Sequence, residues 1–222
     1  MIESKGARPG RLHVLTDFRF QQRWRASELA EMAIAGGADT IQFRQKLGPV
    51  AHRLHEADLV SEVCRRKDVP LIVNDSIDIA LAVDAAGIHL GQLDFPPQRA
   101  RRVIGDARLL GVTVTTVDQA IEAARIGADY VGFGPVFNTT SKDNLGSIKG
   151  LAELAAVCDA VDIPVIAIAG ITPERARGVL EAGAYGIAVM TAVSLAEDPQ
   201  EATAELAAAI TDSLESRATI AL

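Results

Sequence analysis

Acidic side chains stand at the ends of two consecutive apolar runs of this sequence. Asp75 closes the run PLIVND, and Asp94 lies three residues beyond the run AGIHLG. If both runs are strands of one parallel barrel, their carboxyl ends share a rim and the two carboxylates meet there. Mg²⁺ favours such a site, because it takes one or two carboxylates and completes its shell with waters and substrate phosphate oxygens. The sequence therefore predicts a magnesium site formed by Asp75 and Asp94.

Each carboxylate also has a purely structural alternative. Asp75 precedes the helix-like stretch SIDIALAV and could cap its N-terminus. Asp94 precedes Pro96 and Pro97 and could close a turn. Taken with the cations described next, the two carboxylates favour the metal interpretation.

Basic and amide side chains alternate along the run IQFRQK. Gln42, Arg44 and Lys46 are two residues apart, so the period of a β-strand turns all three toward one face. Burying two cations at the mouth of a barrel without an anion is costly, whereas a diphosphate pairs with both. A solvated strand end is the alternative. We expect these three side chains to bind a diphosphate, with Asn74 placed to orient a substrate amine beside them.

A later rim segment is rich in hydroxyl groups and suits a phosphate. Four of its residues directly follow the run VGFGPVFN: Thr139, Thr140, Ser141 and Lys142. Hydroxyl and ammonium donors of this kind bind phosphate, although Ser/Thr-rich loops are common and the segment alone is a weak signal. Gly170 and Thr191 end two further runs, at the place where the phosphate site of a barrel needs close backbone approach.

Composition limits the class of protein. The chain has 222 residues, 49% of them hydrophobic, which fits one domain with a sizeable core. Its net charge of -7 argues against a nucleic-acid or anionic-membrane partner, and neither a secretory signal nor an apolar run of membrane-spanning length is evident. We expect a soluble, cytoplasmic protein that binds small phosphorylated molecules. Its two cysteines, Cys64 and Cys158, are predicted to be buried thiols.

Short β-branched runs alternate with longer amphipathic stretches eight times. The runs are 11–17, 38–45, 70–75, 86–92, 107–114, 128–136, 163–171 and 184–193. Glycine near the end of each helical stretch and a repeated Gly-Ala-Asp or Gly-Ala-Tyr motif suit the loops that lead into strands. The pattern predicts residues 1–222 as one α/β domain, a TIM (β/α)8 barrel, with 1–10 as an N-terminal extension and 210–222 as a tail that packs or frays. A doubly wound open sheet is the alternative, but no GxGxxG motif follows the first run.

Histidine does not indicate catalysis in this chain. His13 and His89 fall within strand-like runs and are predicted to be hydrogen-bonded core residues. His52 and His55 lie on the helical stretch after the second run and are expected at the surface. Nucleophilic catalysis is therefore not predicted.

Eight motifs of this chain together carry a resemblance to a known family: HVLTD, IQFRQK, LIVND, AGIHLGQLD, GADYVGFGPVF, TTSK, IPVIAIAGIT and GAYGIAVMTAV. Over nearly the whole barrel, they resemble the thiamine phosphate synthase family. The resemblance implies a TIM-barrel transferase that joins hydroxymethylpyrimidine diphosphate to thiazole phosphate, with magnesium assistance. It implies that Asp75 and Asp94 bind Mg²⁺. It implies no acid or base among the side chains, and it leaves open whether the protein forms a homo-oligomer.

By position, the resemblance divides the other site residues into two groups. Those implied to hold the pyrimidine diphosphate are Gln42, Phe43, Arg44, Gln45, Lys46, Asn74, Thr113 and Lys142. Those implied to receive the thiazole phosphate are Thr139, Thr140, Ser141, Gly170, Met190 and Thr191.

The sequence departs from the family pattern at four places. Thr113 and Thr191 replace serines, Ala169 replaces the first glycine of a pair, and the hydroxyl-rich loop reads NTTSK. A related thiazole tautomerase carries a histidine where this chain has Thr115, and it lacks the paired aspartates. That enzyme, and a paralogue that binds thiazole or thiamine phosphate without turnover, remain the alternatives.

Overall fold

The computed structural model of this chain describes residues 8–17, 19, 23–139 and 147–220, and side chains as far as residue 216. Eight parallel strands pair in chain order, and β8 returns to β1, so the sheet closes into a barrel. A helix follows each strand on the outside, which confirms the predicted TIM (β/α)8 fold. The strands are β1 (Leu12–Thr16), β2 (Thr40–Phe43), β3 (Leu71–Asn74), β4 (Gly87–Leu90), β5 (Leu109–Val114), β6 (Tyr130–Phe133), β7 (Val165–Ile168) and β8 (Gly186–Val189).

The outer layer consists of helices that bury one face against the sheet. They are α1 (Ala26–Ala35), α2 (Val50–Lys67), α3 (Ile77–Ala82), α4 (Pro97–Ile104), α5 (Val117–Arg125), α6 (Gly150–Ala160), α7 (Pro173–Glu181), α8 (Thr191–Ser194) and α9 (Pro199–Ile220). The short α8 covers little of the sheet, and α9 packs against both α1 and α7 to complete the ring. Within the described residues, no helix has the length and apolar character needed to cross a membrane.

Every strand is shorter than the run that predicted it. The run 38–45, for example, contributes only Thr40–Phe43 to the sheet. Most runs extend past the strand into the rim, where the chain turns toward the next helix. Arg44 and Lys46 therefore lie in the loop after β2 and not within the strand.

The Gly-Ala-Asp motif joins neighbouring strands at the N-terminal end of the barrel. The carboxylate of Asp39 accepts the N–H of Leu12 at 2.8 Å, and the Asp39 N–H donates to the Leu12 carbonyl at 3.2 Å. Asp129 does the same with Leu110, at 2.7 and 2.8 Å. The motif thus satisfies backbone groups at the start of a strand that would otherwise lack partners.

Most of the hydrophobic core lies between the barrel and its helices. Inside the barrel, a second and smaller cluster contains Leu15, Tyr130, Ile166 and Ala188, which belong to strands β1, β6, β7 and β8. We call this side of the interior the apolar wall. Because side chains alternate along a strand, the interior positions of the other four strands include four polar residues. These residues, Gln42, Asn74, His89 and Thr113, form the polar wall.

The expected core histidines are buried and hydrogen-bonded. His13 Nε2 lies 3.1 Å from the Gly10 carbonyl oxygen, and burial lowers the pKa of His13 to about 4, so its ring is neutral. His89 bonds to two side chains described below, while His52 and His55 are exposed as predicted.

The two cysteines differ in burial. Cys64 is a buried thiol, as predicted, and burial raises its pKa to about 12. Cys158 is only partly buried, because it lies near the end of α6, where the helix faces solvent on one side.

Candidate active site

The two predicted metal ligands meet at the carboxyl end of the barrel. Asp75 directly follows β3, and its N–H donates to the His89 carbonyl of β4 at 2.9 Å. Asp94 lies in the loop after β4, where its Oδ2 accepts the Gly91 N–H at 2.8 Å. The side chains of Asp75 and Asp94 lie close enough for each to shift the pKa of the other. This contact brings together two residues that are 19 positions apart in the sequence.

The structural alternatives proposed for these residues are only partly realised. The helix α3 begins at Ile77 with Ser76 as its N-cap, so Asp75 is not the capping residue. Asp75 instead has a φ of 63°, which is uncommon for a residue other than glycine. One carboxylate oxygen of Asp94 does close a turn onto Gly91, and its carboxyl group still reaches Asp75.

The electrostatics of the pair are compatible with a cation bound between them. Burial raises the pKa of Asp75, and its hydrogen bond with Asp94 raises it further, despite Lys46 at 2.8 Å. Burial also raises the pKa of Asp94, but the hydrogen bonds from Asp75 and from the Gly91 amide outweigh it and leave the pKa below the usual range. Two carboxyls at close range share a proton in this way when no cation is present. A divalent ion can take the place of that proton.

Two carboxylates suit Mg²⁺ better than a metal ion whose ligands all come from the protein. Among the residues that the structure describes, no cluster of three or more His, Cys, Asp or Glu side chains could hold a metal ion. Asp75 and Asp94 supply two carboxylates and leave the remaining coordination positions to water and substrate. Mg²⁺ is bound in this manner in phosphate-processing enzymes.

Two cations lie beside the carboxylates. Lys46 Nζ pairs with Asp75, and Lys46 remains about half exposed. The guanidinium of Arg44 is largely buried and pairs with Asp17, whose side chain is 4% exposed. Burial lowers the pKa of Arg44, while Asp75 and Asp94 raise it, so the guanidinium lies in the field of the carboxylate pair.

Sequence reasoning missed Asp17 as part of this site. Asp17 is the first residue after β1, at the same end of the barrel as Asp75. The rule that sorts polar residues by strand end would have included it. Its role needs the structure, because a carboxylate at a strand end can equally well cap a turn.

The residues of the segment 42–46 differ in where their side chains lie. Gln42 is buried on the polar wall, and Arg44 and Lys46 lie at the rim, as the period of two predicts. Phe43 belongs to the core between barrel and helices. Gln45 contacts the Leu47 carbonyl at 3.4 Å, away from the carboxylate pair.

Thr113 lies on the polar wall at the end of β5. Its hydroxyl is 2.8 Å from His89 Nε2, and its carbonyl accepts the side-chain amide of Gln92 at 2.6 Å. Asn74 ends β3 one residue before Asp75 and is partly exposed. Asn74 thus adjoins Asp75 in the chain, and Thr113 bonds to His89, whose carbonyl accepts the Asp75 N–H.

The rim after β6, β7 and β8 is built differently. Of the predicted phosphate loop, Thr139 is described, whereas Thr140, Ser141 and Lys142 lie outside the described residues. A side chain at Gly170 would place its Cβ 2.4 Å from the Asn138 carbonyl oxygen, so the β7 loop passes directly against the β6 loop. Thr191 begins α8, and Met190 before it packs against the apolar wall.

A cleft of about 660 Å³ opens at the other end of the barrel. It is lined by Arg8, Arg11, Asp162 and Tyr185, among others. The guanidinium of Arg11 is already occupied there, because it lies over the Tyr185 ring at 4.2 Å and donates to the Tyr185 carbonyl at 2.6 Å. Chemistry in this fold takes place at the carboxyl ends of the strands, so the rim and not this cleft is the candidate active site.

Comparison with known proteins agrees with the geometry. Residues 12–193 match the family model described as thiamine monophosphate synthase. The chain is 56% identical over 201 residues to the thiamine-phosphate synthase of Salinibacter ruber, an alignment that covers 90% of this chain and 88% of that protein. It is 45% identical over 197 residues to the thiamine-phosphate synthase of Roseiflexus castenholzii, with 89% and 86% covered.

A solved structure extends the similarity to three dimensions. The thiamine phosphate pyrophosphorylase from Pyrococcus furiosus superposes with a TM-score of 0.83 at 38% identity, covering 92% of this chain and 96% of that one. The family match and the curated relatives each span most of the barrel. The chain therefore belongs to the thiamine monophosphate synthase family.

Proposed function

We propose that this chain is a thiamine phosphate synthase. It would join 4-amino-2-methyl-5-hydroxymethylpyrimidine diphosphate to thiazole phosphate and release diphosphate. The carboxyl pair of Asp75 and Asp94, set beside Arg44 and Lys46, is the observation that carries the proposal. Family membership supports the same activity.

The proposed reaction is dissociative. The bond between the pyrimidine methylene carbon and the diphosphate oxygen breaks first, and the electron pair leaves with the diphosphate. The thiazole nitrogen then donates its lone pair to the resulting carbocation. Such a reaction needs neutralisation of the leaving group more than a general base. In the described part of the rim, Arg44 and Lys46 lie beside the carboxylate pair, and we assign no acid or base there.

The charged residues have distinct tasks in this scheme. Arg44 and Lys46 pair with phosphate oxygens whose negative charge grows as the bond breaks. Magnesium bound to Asp75 and Asp94 would act as a Lewis acid on the same diphosphate. Gln42 lies deeper, on the polar wall, where its amide can hydrogen-bond to the substrate without adding charge.

The second substrate would bind across the rim. The loops after β7 and β8 carry Gly170, Met190 and Thr191, which can offer backbone groups to the thiazole phosphate. Thr139 lies in the adjoining β6 loop. In this proposal the nucleophile would approach from the side opposite the leaving group, and the two phosphate sites would be separate.

The direct test is formation of thiamine phosphate from the two substrates at several magnesium concentrations. We expect turnover to stop when the metal is chelated and to return when Mg²⁺ is restored. Asp94→Asn should raise the magnesium concentration needed for half-maximal rate by about tenfold or more, because an amide removes one negative charge from the ion's shell. Asp84→Asn is the matched control, since the Asp84 side chain is 88% exposed and pairs only with Arg108 among the described contacts.

The competing functions give different outcomes. A tautomerase would need a base at Thr115, but the Thr115 hydroxyl donates to Gln119 at 3.1 Å. A non-catalytic paralogue would bind thiazole phosphate in a calorimetric titration without forming product. Turnover that is indifferent to chelator, or an Asp94→Asn protein with unchanged magnesium dependence, would reject the metal role.

A further inference from the structure

Three polar side chains form a chain of hydrogen bonds inside the barrel, below the carboxylate pair. The Tyr130 hydroxyl lies 3.1 Å from His89 Nδ1, and His89 Nε2 lies 2.8 Å from Thr113 Oγ1. Tyr130 and His89 are 1% and 8% exposed, whereas Thr113 is partly open toward the rim. The chain thus connects the closed interior to the site.

Two glycines make room for this arrangement. A Cβ at Gly111 would lie 2.4 Å from the Tyr130 hydroxyl oxygen and 2.5 Å from His89 Nδ1. A Cβ at Gly132 would lie 2.9 Å from His89 Cε1. Gly111 stands between His89 and Tyr130 in the register of β4, β5 and β6, so the two rings meet across it. No side chain can be added at Gly111 without breaking the contact.

The direction of these hydrogen bonds follows from the buried phenol. Burial raises the pKa of Tyr130, so its hydroxyl keeps its proton. His89 Nδ1 is the acceptor within reach among the described residues. His13 also packs against the Tyr130 ring, but its Nε2 bonds to Gly10, and its Nδ1 makes no hydrogen bond. His89 Nδ1 therefore accepts, and the proton of the neutral imidazole sits on Nε2.

With its proton on Nε2, His89 donates to the oxygen of Thr113. The hydroxyl proton of Thr113 must then point to another acceptor. A doubly protonated ring would donate from Nε2 as well, but its Nδ1–H would deprive the buried Tyr130 proton of an acceptor. Only the tautomer with its proton on Nδ1 would reverse the direction, and that tautomer would leave the buried Tyr130 proton without its acceptor.

We propose that His89 is a positioning residue: held by Tyr130, it fixes the Thr113 hydroxyl as a hydrogen-bond donor to an anionic oxygen of the diphosphate leaving group. This inference rests on the proposed function for the identity of the anion. The orientation of the network does not depend on it. Thr113→Ser keeps the hydroxyl donor and should recover most of the rate that removal of the hydroxyl costs.

The tautomer is tested by nitrogen NMR on protein labelled at histidine, with the His89 signals assigned by their loss in His89→Gln. We expect Nε2 to be protonated and Nδ1 to be a bare acceptor in the wild type. Tyr130→Phe should remove this preference. A wild-type ring protonated only on Nδ1 would overturn the proposal. Since this measurement needs no turnover, it separates failure of the inference from failure of the proposed function.

Kinetics test the link to the site. Thr113→Val should lower kcat by about 10- to 100-fold, the cost of a lost donor to developing charge, with little change in KM for thiazole phosphate. His89→Leu should lower kcat comparably and add little in the Thr113→Val background, because both changes remove one interaction. His89→Gln, which retains an N–H donor, should recover part of the rate.

The control is His13→Gln, which changes the other histidine that packs on Tyr130. It should reduce stability without changing kcat. Losses that are fully additive in the double variant would contradict the proposed coupling. If His89→Leu fails to fold, the NMR measurement on the wild type and Tyr130→Phe still decides the question.

Discussion

The two halves of the rim are built from different parts of the chain. After β2, β3 and β4, the site is made of charged side chains, namely Arg44, Lys46, Asp75 and Asp94. After β7, the described rim lies so close to the β6 loop that Gly170 has no room for a side chain, and the Arg175 guanidinium donates to the Gly170 carbonyl at 2.6 Å. The first half can neutralise charge that changes during a reaction. The second half offers mainly backbone groups, held in a fixed shape.

The interior of the barrel shows the same division. The polar wall lies beneath the charged half of the rim, and the apolar wall lies beneath the backbone half. A charged site needs hydrogen-bond partners below it, since unpaired polar groups are costly to bury. A site built from backbone needs a firmly packed support instead. We therefore expect substitutions in the first half to affect kcat and those in the second half to affect KM and stability.

The largest effect is expected at Asp17. Asp17→Asn removes the charge that holds the Arg44 guanidinium, which can then turn toward Asp75 and Asp94. We expect kcat/KM for the pyrimidine diphosphate to fall about 100-fold, a typical result of misplacing one catalytic contact. KM for thiazole phosphate should change less than about twofold.

The control for Asp17 is Asp129→Asn, which breaks the pair with Arg101 at the opposite end of the barrel. It should lower the free energy of unfolding and leave the steady-state kinetics alone. Equal kinetic losses in the two variants would show that Asp17 acts through general stability.

A smaller and different effect is expected at Gly170. Gly170→Ala puts a methyl group against the Asn138 carbonyl oxygen, at a φ of 65°. We expect the free energy of unfolding to fall by about 2 kcal/mol and KM for thiazole phosphate to rise by about tenfold. Denaturant unfolding and initial rates measure the two quantities.

Gly178→Ala is the matched control for Gly170. Gly178 lies within α7, where the nearest atom to an added Cβ is 3.4 Å away. This variant should be neutral or slightly more stable, because alanine favours a helix. If Gly170→Ala and Gly178→Ala had the same stability and the same kinetics, the distinction between the two halves of the rim would not hold.

The smallest effect is expected at Ala169. This residue has a φ of 86°, a conformation that glycine adopts readily and alanine does not. Ala169→Gly should raise the free energy of unfolding by about 0.5 to 1 kcal/mol, the relief of strain less the added entropy of the unfolded chain. Thermal unfolding checks it, with kcat expected to stay the same. A loss of stability would mean that packing of the alanine methyl outweighs the strain.

Most of the fold could be predicted from the sequence, because eight apolar runs separated by helical stretches allow few closed arrangements. The approach of Asp75 and Asp94 also followed, since Asp75 directly follows β3 and Asp94 lies in the loop after the neighbouring β4. The residues at which the strands end could not be predicted from the sequence. Residues such as Arg44 continue the alternation of β2 without belonging to it, and sequence periodicity cannot separate the two cases.

Three features of the site needed the structure. The pairing of Asp17 with Arg44 joins β1 to β2 and has no local signal. His89 was correctly predicted as a hydrogen-bonded core residue, but its contact with Thr113 depends on the register of β4 and β5. The strained φ of Ala169 cannot be predicted from an alanine, because this residue type seldom adopts it.

The Gly-Ala-Asp motif at the opposite end of the barrel bears on how the fold is assembled from smaller parts. Asp39 bonds to the backbone of Leu12, and Asp129 bonds to the backbone of Leu110, each through a reciprocal pair of hydrogen bonds. The first pair joins β2 to β1 and the second joins β6 to β5, so the two pairs are related by a shift of four strands. In evolutionary terms, the barrel carries a common register in its two halves, as expected of a duplicated four-strand unit. A single chain that repeats the segment from β1 to α4 twice would test this hypothesis, and failure of that chain to form a closed barrel would count against it.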